Sequence, residues 1–243
     1  GNNEKHEFAL QLGVMGIRAS AEGPFSKNSN ASYLFNYRYA TTSLLNQAGL
    51  TIGDADIFPE WQDLSYNINM PTKKFGTFNI WGLSGISSSA EQVPEDTANW
   101  NYRSDHFSYS ENQKLAVGGL SNHFLLKNNR TYFKTVLSMS YTNNYNLEDS
   151  LDHNMTKTKL LDEEYIYQNS TASLMVNHKF NPKNLIRSGI ILTHHTYDLK
   201  MQQYNWDDEI LETKLNDKGA TNRYQAYIQW KHNFSNKFNM KTG

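Results

Sequence analysis

His194 and His195 are adjacent, and paired imidazoles are the first groups a metal ion or a proton-transfer reaction would recruit. In an extended segment, neighbouring side chains point to opposite faces, so this pair cannot close on one ion. The acidic runs Asp207-Asp208-Glu209 and Glu148-Asp149, with Asp152 nearby, offer the oxygen ligands that calcium prefers. Neither has the spaced pattern and Gly of a known calcium loop, so solvated loop charge is the expected role. Gly118-Gly119 lacks the strand-to-helix setting of a phosphate loop and reads as a place where a strand bends or a neighbour comes close. No Ser/His/Asp set or converging carboxylate pair is recognisable by spacing. With zero Cys there is no thiol nucleophile, thiolate zinc site or disulfide. The expectation is therefore no enzyme, no catalytic residue, no metal ligand and no cofactor, with the ligand-binding residues unknown.

Aromatic residues are the other candidates. Tyr33, Phe35, Tyr37, Tyr39, Trp61, Trp81 and Trp230 could stack on sugars, but a girdle at a lipid interface is the favoured role. The Asn-X-Ser/Thr sequons at Asn30, Asn129, Asn154, Asn169 and Asn233 are what chance supplies in so Asn-rich a chain.

The elements that carry these residues show a period of two. Leu64, Tyr66, Ile68 and Met70 alternate with Ser65, Asn67 and Asn69, which gives a strand one apolar and one polar face. A turn at 71–76 leads to a second extended run, Thr77 to Ile86. Tyr33 to Tyr39 forms an aromatic stripe with Asn36 and Arg38 between. Further strands are expected at about His6–Ala19, Leu115–Leu126, Thr131–Tyr145, Tyr165–Phe180, Leu185–Tyr204 and Asn222–Phe234, with a last one running to Gly243. Thr42–Gly49, with its Ser/Thr start, Leu44-Leu45 and closing Gly, predicts a short helix.

That is about ten strands, and their connections alternate in length. Turns near 21–30, 71–76, 127–130, 181–184 and 235–237 are short, while connections near 40–61, 87–113, 146–164 and 205–219 are long and polar. In an antiparallel meander alternate connections share a rim, so short turns collect at one end and long loops at the other. Outer-membrane barrels have that asymmetry. The expected fold is all-β, an antiparallel up-and-down meander forming part of a transmembrane β-barrel. Arg38, Lys134, Arg187, Arg223 and Lys231 then line the lumen. The alternative is a soluble or surface-exposed β-sandwich that binds glycan or protein through its long loops.

Composition bounds these readings. The chain has 243 residues with 38% hydrophobic and 13% aromatic content and a net charge of −1. Disorder predicts few aromatics and high net charge, and nucleic-acid binding predicts a basic footprint; neither fits. No run of about 18 apolar residues is present to form a transmembrane helix, which leaves a barrel open. No composition shift divides the chain, so one domain over 1–243 is expected. Gly1, with no initiator Met before it, reads as an expression remnant, and targeting information is expected to have been cut off.

The run EGPFSKNSNASYLFNYRYATTSLL, followed by PEWQDLSYNINMPTKKFGTFNIWGLSG, resembles the early barrel of Bacteroidetes-type TonB-dependent outer-membrane receptors of the SusC-like, carboxypeptidase-regulatory-like class. The matching features are Glu22-Gly23-Pro24, Tyr37-Arg38-Tyr39, and Gln62-Asp63-Leu64-Ser65 through Phe78, within about 8–86. The resemblance implies a Gram-negative outer-membrane location and inward transport of a large nutrient powered through TonB. It also implies lipid contact and a surface lipoprotein partner. Such receptors carry an N-terminal plug that meets TonB and close with about 22 strands. The chain is accordingly expected to be an incomplete barrel segment, with the plug and later strands absent.

Overall fold

The computed structural model describes residues 2–13, 16–27, 30–41, 59–91, 93, 97–100, 103–235 and 237–243. They form one antiparallel sheet of 11 strands in which each strand pairs with its neighbours in sequence. The strands are β1 (Glu7–Gly13), β2 (Gly16–Pro24), β3 (Ser32–Thr41), β4 (Glu60–Thr72), β5 (Gly76–Glu91), β6 (Phe107–Leu125), β7 (Thr131–Leu151), β8 (Lys157–Lys179), β9 (Asn184–Asn205), β10 (Ile210–Asn233) and β11 (Asn239–Thr242). The up-and-down meander is as expected, with one strand more than the sequence suggested. The stretch 6–19, expected as a single strand, folds back on itself, and Leu12 pairs with Ile17 across the turn. Gly16 makes that return possible: its φ is +147°, and a Cβ there would lie 2.1 Å from the Tyr39 carbonyl oxygen. The predicted helix at Thr42–Gly49 lies outside the described residues.

Register carries the alternation across the sheet. Tyr33, Phe35 and Tyr37 on β3 pair with Ile68, Tyr66 and Leu64 on β4, while Asn36 and Arg38 pair with Ser65 and Asp63 on the opposite face. The apolar face continues through Ile80, Leu120 and Leu137. From there it passes through Ala172 and Leu192 to Tyr224.

No second layer covers it among the described residues. Among the described residues the only buried apolar side chains are Pro24, Ala40, Leu151 and Leu160, while Met139 is 69% and Ile228 64% exposed. A β-sandwich, the alternative kept from the sequence, would bury such a face in a dry core, and the single-layer sheet overturns it. In water each bare large apolar side chain forgoes about 1.5–3 kcal/mol of burial. Hydrocarbon removes that penalty, and no described helix is long and apolar enough to cross a membrane in place of the strands.

The apolar belt is inclined to the register rows. Tyr33, at the short-turn end of β3, shares a row with Tyr224, but on β10 the belt runs on from Tyr224 through Ala226 and Ile228 to Trp230 and His232. The belt thus slips by about one residue per strand. At about 3.3 Å per residue and about 4.8 Å per strand, the slip inclines the strands about 30–40° from the perpendicular to the belt. Barrel strands in outer membranes tilt by about that much. On β7 the belt spans Phe133 to Tyr141, about 20 Å of height at such a tilt.

Connection lengths match the expected sorting only in part. The rim holding 25–31, 73–75, 126–130, 180–183 and 234–238 is uniformly short-turned. At the opposite rim β3 ends at Thr41 and β4 begins at Glu60, and β5 ends at Glu91 and β6 begins at Phe107. The long loops expected at 146–164 and 205–219 are instead strand: β7 and β8 continue to a tight tip at 152–156, and β9 and β10 to one at 206–209. Met155 (φ 61°) and Glu209 (φ 55°) turn those tips in the left-handed region.

Candidate functional site on the polar face

The face opposite the belt divides into tiers along the strands. Its middle tier is built of hydroxyls and amides that pair across strands. Asn69 donates to Asn79 at 2.7 Å, Asn169 to Ser140 at 2.9 Å, and Thr171 to Thr193 at 3.2 Å. The Arg38 guanidinium holds the Asp63 carboxylate at 2.7 Å through Nη2, with Nε on the same oxygen. His195 meets Asn169 on this face, whereas His194 meets Asn222 on the other at 2.8 Å. The adjacent histidines therefore point apart, as an extended strand requires.

Aromatic rings on this face lie over glycines. A Cβ on Gly189 would come within 2.7 Å of the Tyr227 ring, one on Gly219 within 2.6 Å of Tyr197, and one on Gly119 within 3.0 Å of Trp81. The expected role of Gly118-Gly119, close approach of a neighbour, is what the Trp81 contact shows. Trp61 and Trp81 thus stand on the polar face, while Tyr33, Phe35, Tyr37, Tyr39 and Trp230 stand in the belt. Only the latter group fits a lipid girdle.

Beyond the belt, toward the rim of the long connections, carboxylates and phenols gather. Asn146 donates to Glu163 at 3.1 Å and Tyr165 donates to the same carboxylate at 3.1 Å, while Tyr109 reaches Asn146 at 3.5 Å. Burial, and then the charges of Glu111, Glu163 and Glu148, push the Tyr109 phenol above its ordinary range. The acidic runs singled out in the sequence do other work. Asp152 caps its own turn, Asp149 faces Lys157 at 3.9 Å, and Asn205 donates to Asp208 at 2.9 Å. Among the described residues no three His, Asp or Glu side chains are placed to hold a metal.

Sequence reasoning missed one cluster. Trp100 and His106, from the connection before β6, meet His153 at the β7–β8 tip. Trp100 lies 4.5 Å from His106 and 5.2 Å from His153, and the two imidazoles are 5.5 Å apart between ring centres. Nothing in local spacing could have joined residues so far apart in the chain. Arg38, Lys134, Arg187, Arg223 and Lys231 all fall on the polar face, as the alternation predicted. The surface can hydrogen-bond and order a polar solute.

A one-layer meander with an inclined apolar belt on one face and polar groups on the other has the fold of a stretch of barrel wall of the TonB-dependent-receptor type. The solved structures it resembles are of that class. They include the copper transporter OprC, at 8% identity and a TM-score of 0.55 over 94% of this chain. The ferric yersiniabactin uptake receptor FyuA from Yersinia pestis matches at 10% identity and a TM-score of 0.59 over 91% of it. The ferric-catecholate import receptor Fiu from E. coli K12 matches at 8% and 0.53 over 90%. At such identities the likeness is one of fold, and the chain spans only 40%, 35% and 41% of those proteins. No family model matches the sequence, and no curated protein is similar to it.

Proposed function

We propose that this chain forms part of the barrel wall of a TonB-dependent outer-membrane receptor, and that the complete protein imports a nutrient too large for simple diffusion, such as a siderophore, glycan, peptide or cofactor. The continuous apolar belt, slipping about one residue per strand, carries this reading. A lipid bilayer removes the cost of leaving such a face bare on a single sheet. A non-enzymatic role is consistent with the resemblance to transport proteins. Residues 1–243 act as a single barrel segment, with β1 and β11 as edges that closure must pair. Uptake driven through TonB, by way of a plug, belongs to this proposal. The Bacteroidetes SusC-like assignment, with its surface lipoprotein partner, rests on Glu22-Gly23-Pro24, Tyr37-Arg38-Tyr39 and the run from Gln62 to Phe78.

Cysteine scanning along β7 in lipid vesicles tests the wall. A lipid-soluble quencher should reach labels at 133, 135, 137, 139 and 141 and spare those at 134, 136, 138 and 140. Quenching without that alternation would remove the membrane reading.

A further inference from the structure

Above the belt, where β6 to β9 approach the rim of the long connections, the sheet holds a hollow of about 500 Å³. It is lined by the rings of Phe107, Tyr204 and Trp206 together with Leu160 and Leu161, and Glu148 is the one charged group among its described lining residues. Glu148 shares a register row with Tyr109 and Leu161 on the polar face. Trp206 stands edge-on to Tyr204 at 5.0 Å, so its indole is braced although 69% of it is exposed. Small-molecule sites are hollows of about 300–1,000 Å³, mostly apolar, with a few placed polar groups.

Charge around the hollow is sorted by face. On the belt side the carboxylates are neutralised: Lys157 meets Asp149 at 3.9 Å, Lys159 meets Asp162 at 2.6 Å, and Lys200 and Lys218 meet Asp198 at 3.7 and 3.3 Å. On the polar face Glu111, Glu148, Glu163 and Asp217 have no ion-pair partner among the described residues. The remaining lysine of β8–β10 beyond the belt, Lys214, is held by Glu212. Glu111 and Glu163 flank Asn146 in one row, and the charges of both, with that of Glu148, reach the Tyr109 phenol. A cleft with apolar walls and charges of one sign concentrates the field on whatever enters it.

We propose that this hollow binds an organic cation, an ammonium or guanidinium group carried on an apolar or ring-bearing body, with the cation on Glu148 and the body against Trp206 and Phe107. The proposal rests on the receptor reading and deepens it by naming the charge class of the solute. The two rings supply stacking area and attract a cation through their faces. A bare metal ion does not explain the site, because no three His, Asp or Glu side chains among the described residues are placed to hold one. An anionic solute would meet Glu148 with no cation beside it. A neutral glycan would stack on Trp206 but leave the carboxylates of this face unneutralised.

The test uses the full 243-residue chain in zwitterionic detergent micelles. Its probes share the dansyl ring and differ in charge: dansylcadaverine is cationic, dansylamide neutral and dansylglycine anionic. Fluorescence anisotropy, with protein-free micelles as background, should show dansylcadaverine bound at least about tenfold more tightly than either of the others. Glu148→Gln should remove most of that preference, whereas Glu164→Gln, on the belt side of β8, should leave it within about twofold. Trp206→Ala should weaken all the probes by about fivefold. Equal binding of the probes, or tighter binding of the neutral or anionic one, would overturn the proposal, as would equal losses in Glu148→Gln and Glu164→Gln. Displacement by spermine points to a polyamine as the source of the cation and displacement by phenylalanyl-lysine to a peptide; displacement by neither would also overturn it. The quencher scan along β7 separates the proposal from the reading beneath it. Alternating accessibility without preference for the cationic probe sinks the proposal alone, while loss of the alternation sinks the barrel wall itself.

Discussion

Tyr33 on β3 and Tyr224 on β10 lie in one register row, yet they mark opposite edges of the apolar belt. Rows run perpendicular to strands and the belt runs parallel to the membrane, so this offset measures the tilt of the wall. Nitroxide labels at the two positions should report opposite interfaces of a bilayer, with a label at Leu137, in the same row, near the midplane. Depth follows from the accessibility of each label to oxygen and to a nickel chelate. Equal depths at 33 and 224 would mean strands standing upright, which a barrel wall of this slip forbids.

Leu137 and Ser138 are adjacent but face different media. Leu137→Arg places a charge at the middle of the belt and should cost about 2–4 kcal/mol of folding free energy in vesicles. Ser138→Arg, on the polar face, should cost under about 1 kcal/mol. Urea titration of the vesicle-inserted chain gives both numbers, and a similar penalty at both positions would mean that the faces are assigned wrongly.

Gly189 is covered by the Tyr227 ring, which leaves no room for a Cβ. Gly189→Val should therefore destabilise the sheet by about 1–3 kcal/mol, the usual cost of overpacking. Tyr227→Ala should recover most of that loss in the double variant, although alone it uncovers the strand. A double-mutant cycle in micelles reads the coupling, and additive effects would show that the ring does not seat on the glycine.

Some of this architecture is legible in the sequence. The alternation at 64–70 and at 133–141 gives faces that register confirms, because there one side meets lipid and the other water. Where both sides are wet the signal disappears. Residues 146–151 and 157–164 show no period of two, yet they stay paired as β7 and β8, since backbone hydrogen bonding does not depend on the medium. Hydropathy reports surroundings, so these strands read as loops. The β1–β2 turn did leave a trace. The apolar positions Phe8, Leu10 and Leu12 are even-numbered, Ile17 and Ala19 odd, and such a change of phase between Gly13 and Gly16 marks a reversal. The ring cluster of Trp100, His106 and His153 left none, because only the tertiary fold brings two connections together.

The β7–β8 tip offers a prediction in pH. The Asp152 carboxylate accepts backbone N–H groups from Asn154 at 2.8 Å and Thr156 at 2.9 Å, across a turn that Met155 closes in the left-handed region. The bond from Thr156, with a smaller contribution from Asn154, holds this carboxyl below its ordinary range. A group with a depressed folded pKa stabilises its fold above the unfolded value, about 3.9 for Asp, and loses that contribution as pH falls through the folded value. The tip should thus be at full strength from about pH 5 upward and loosen progressively below about pH 4. Amide exchange at Asn154 and Thr156 should exceed the intrinsic acid trend by about tenfold once Asp152 is protonated. Asp152→Asn, which retains an acceptor oxygen, should abolish the pH dependence while keeping the turn, whereas Asp152→Ala should loosen it at every pH. The β8–β9 turn provides the internal control. There the side-chain oxygen of Asn181 accepts the N–H groups of Lys183 and Asn184, each at 2.9 Å, and an amide does not titrate. If the amides of Lys183 and Asn184 lost protection in parallel with those of Asn154 and Thr156, the acid effect would belong to the whole sheet and Asp152 would have no special part in it.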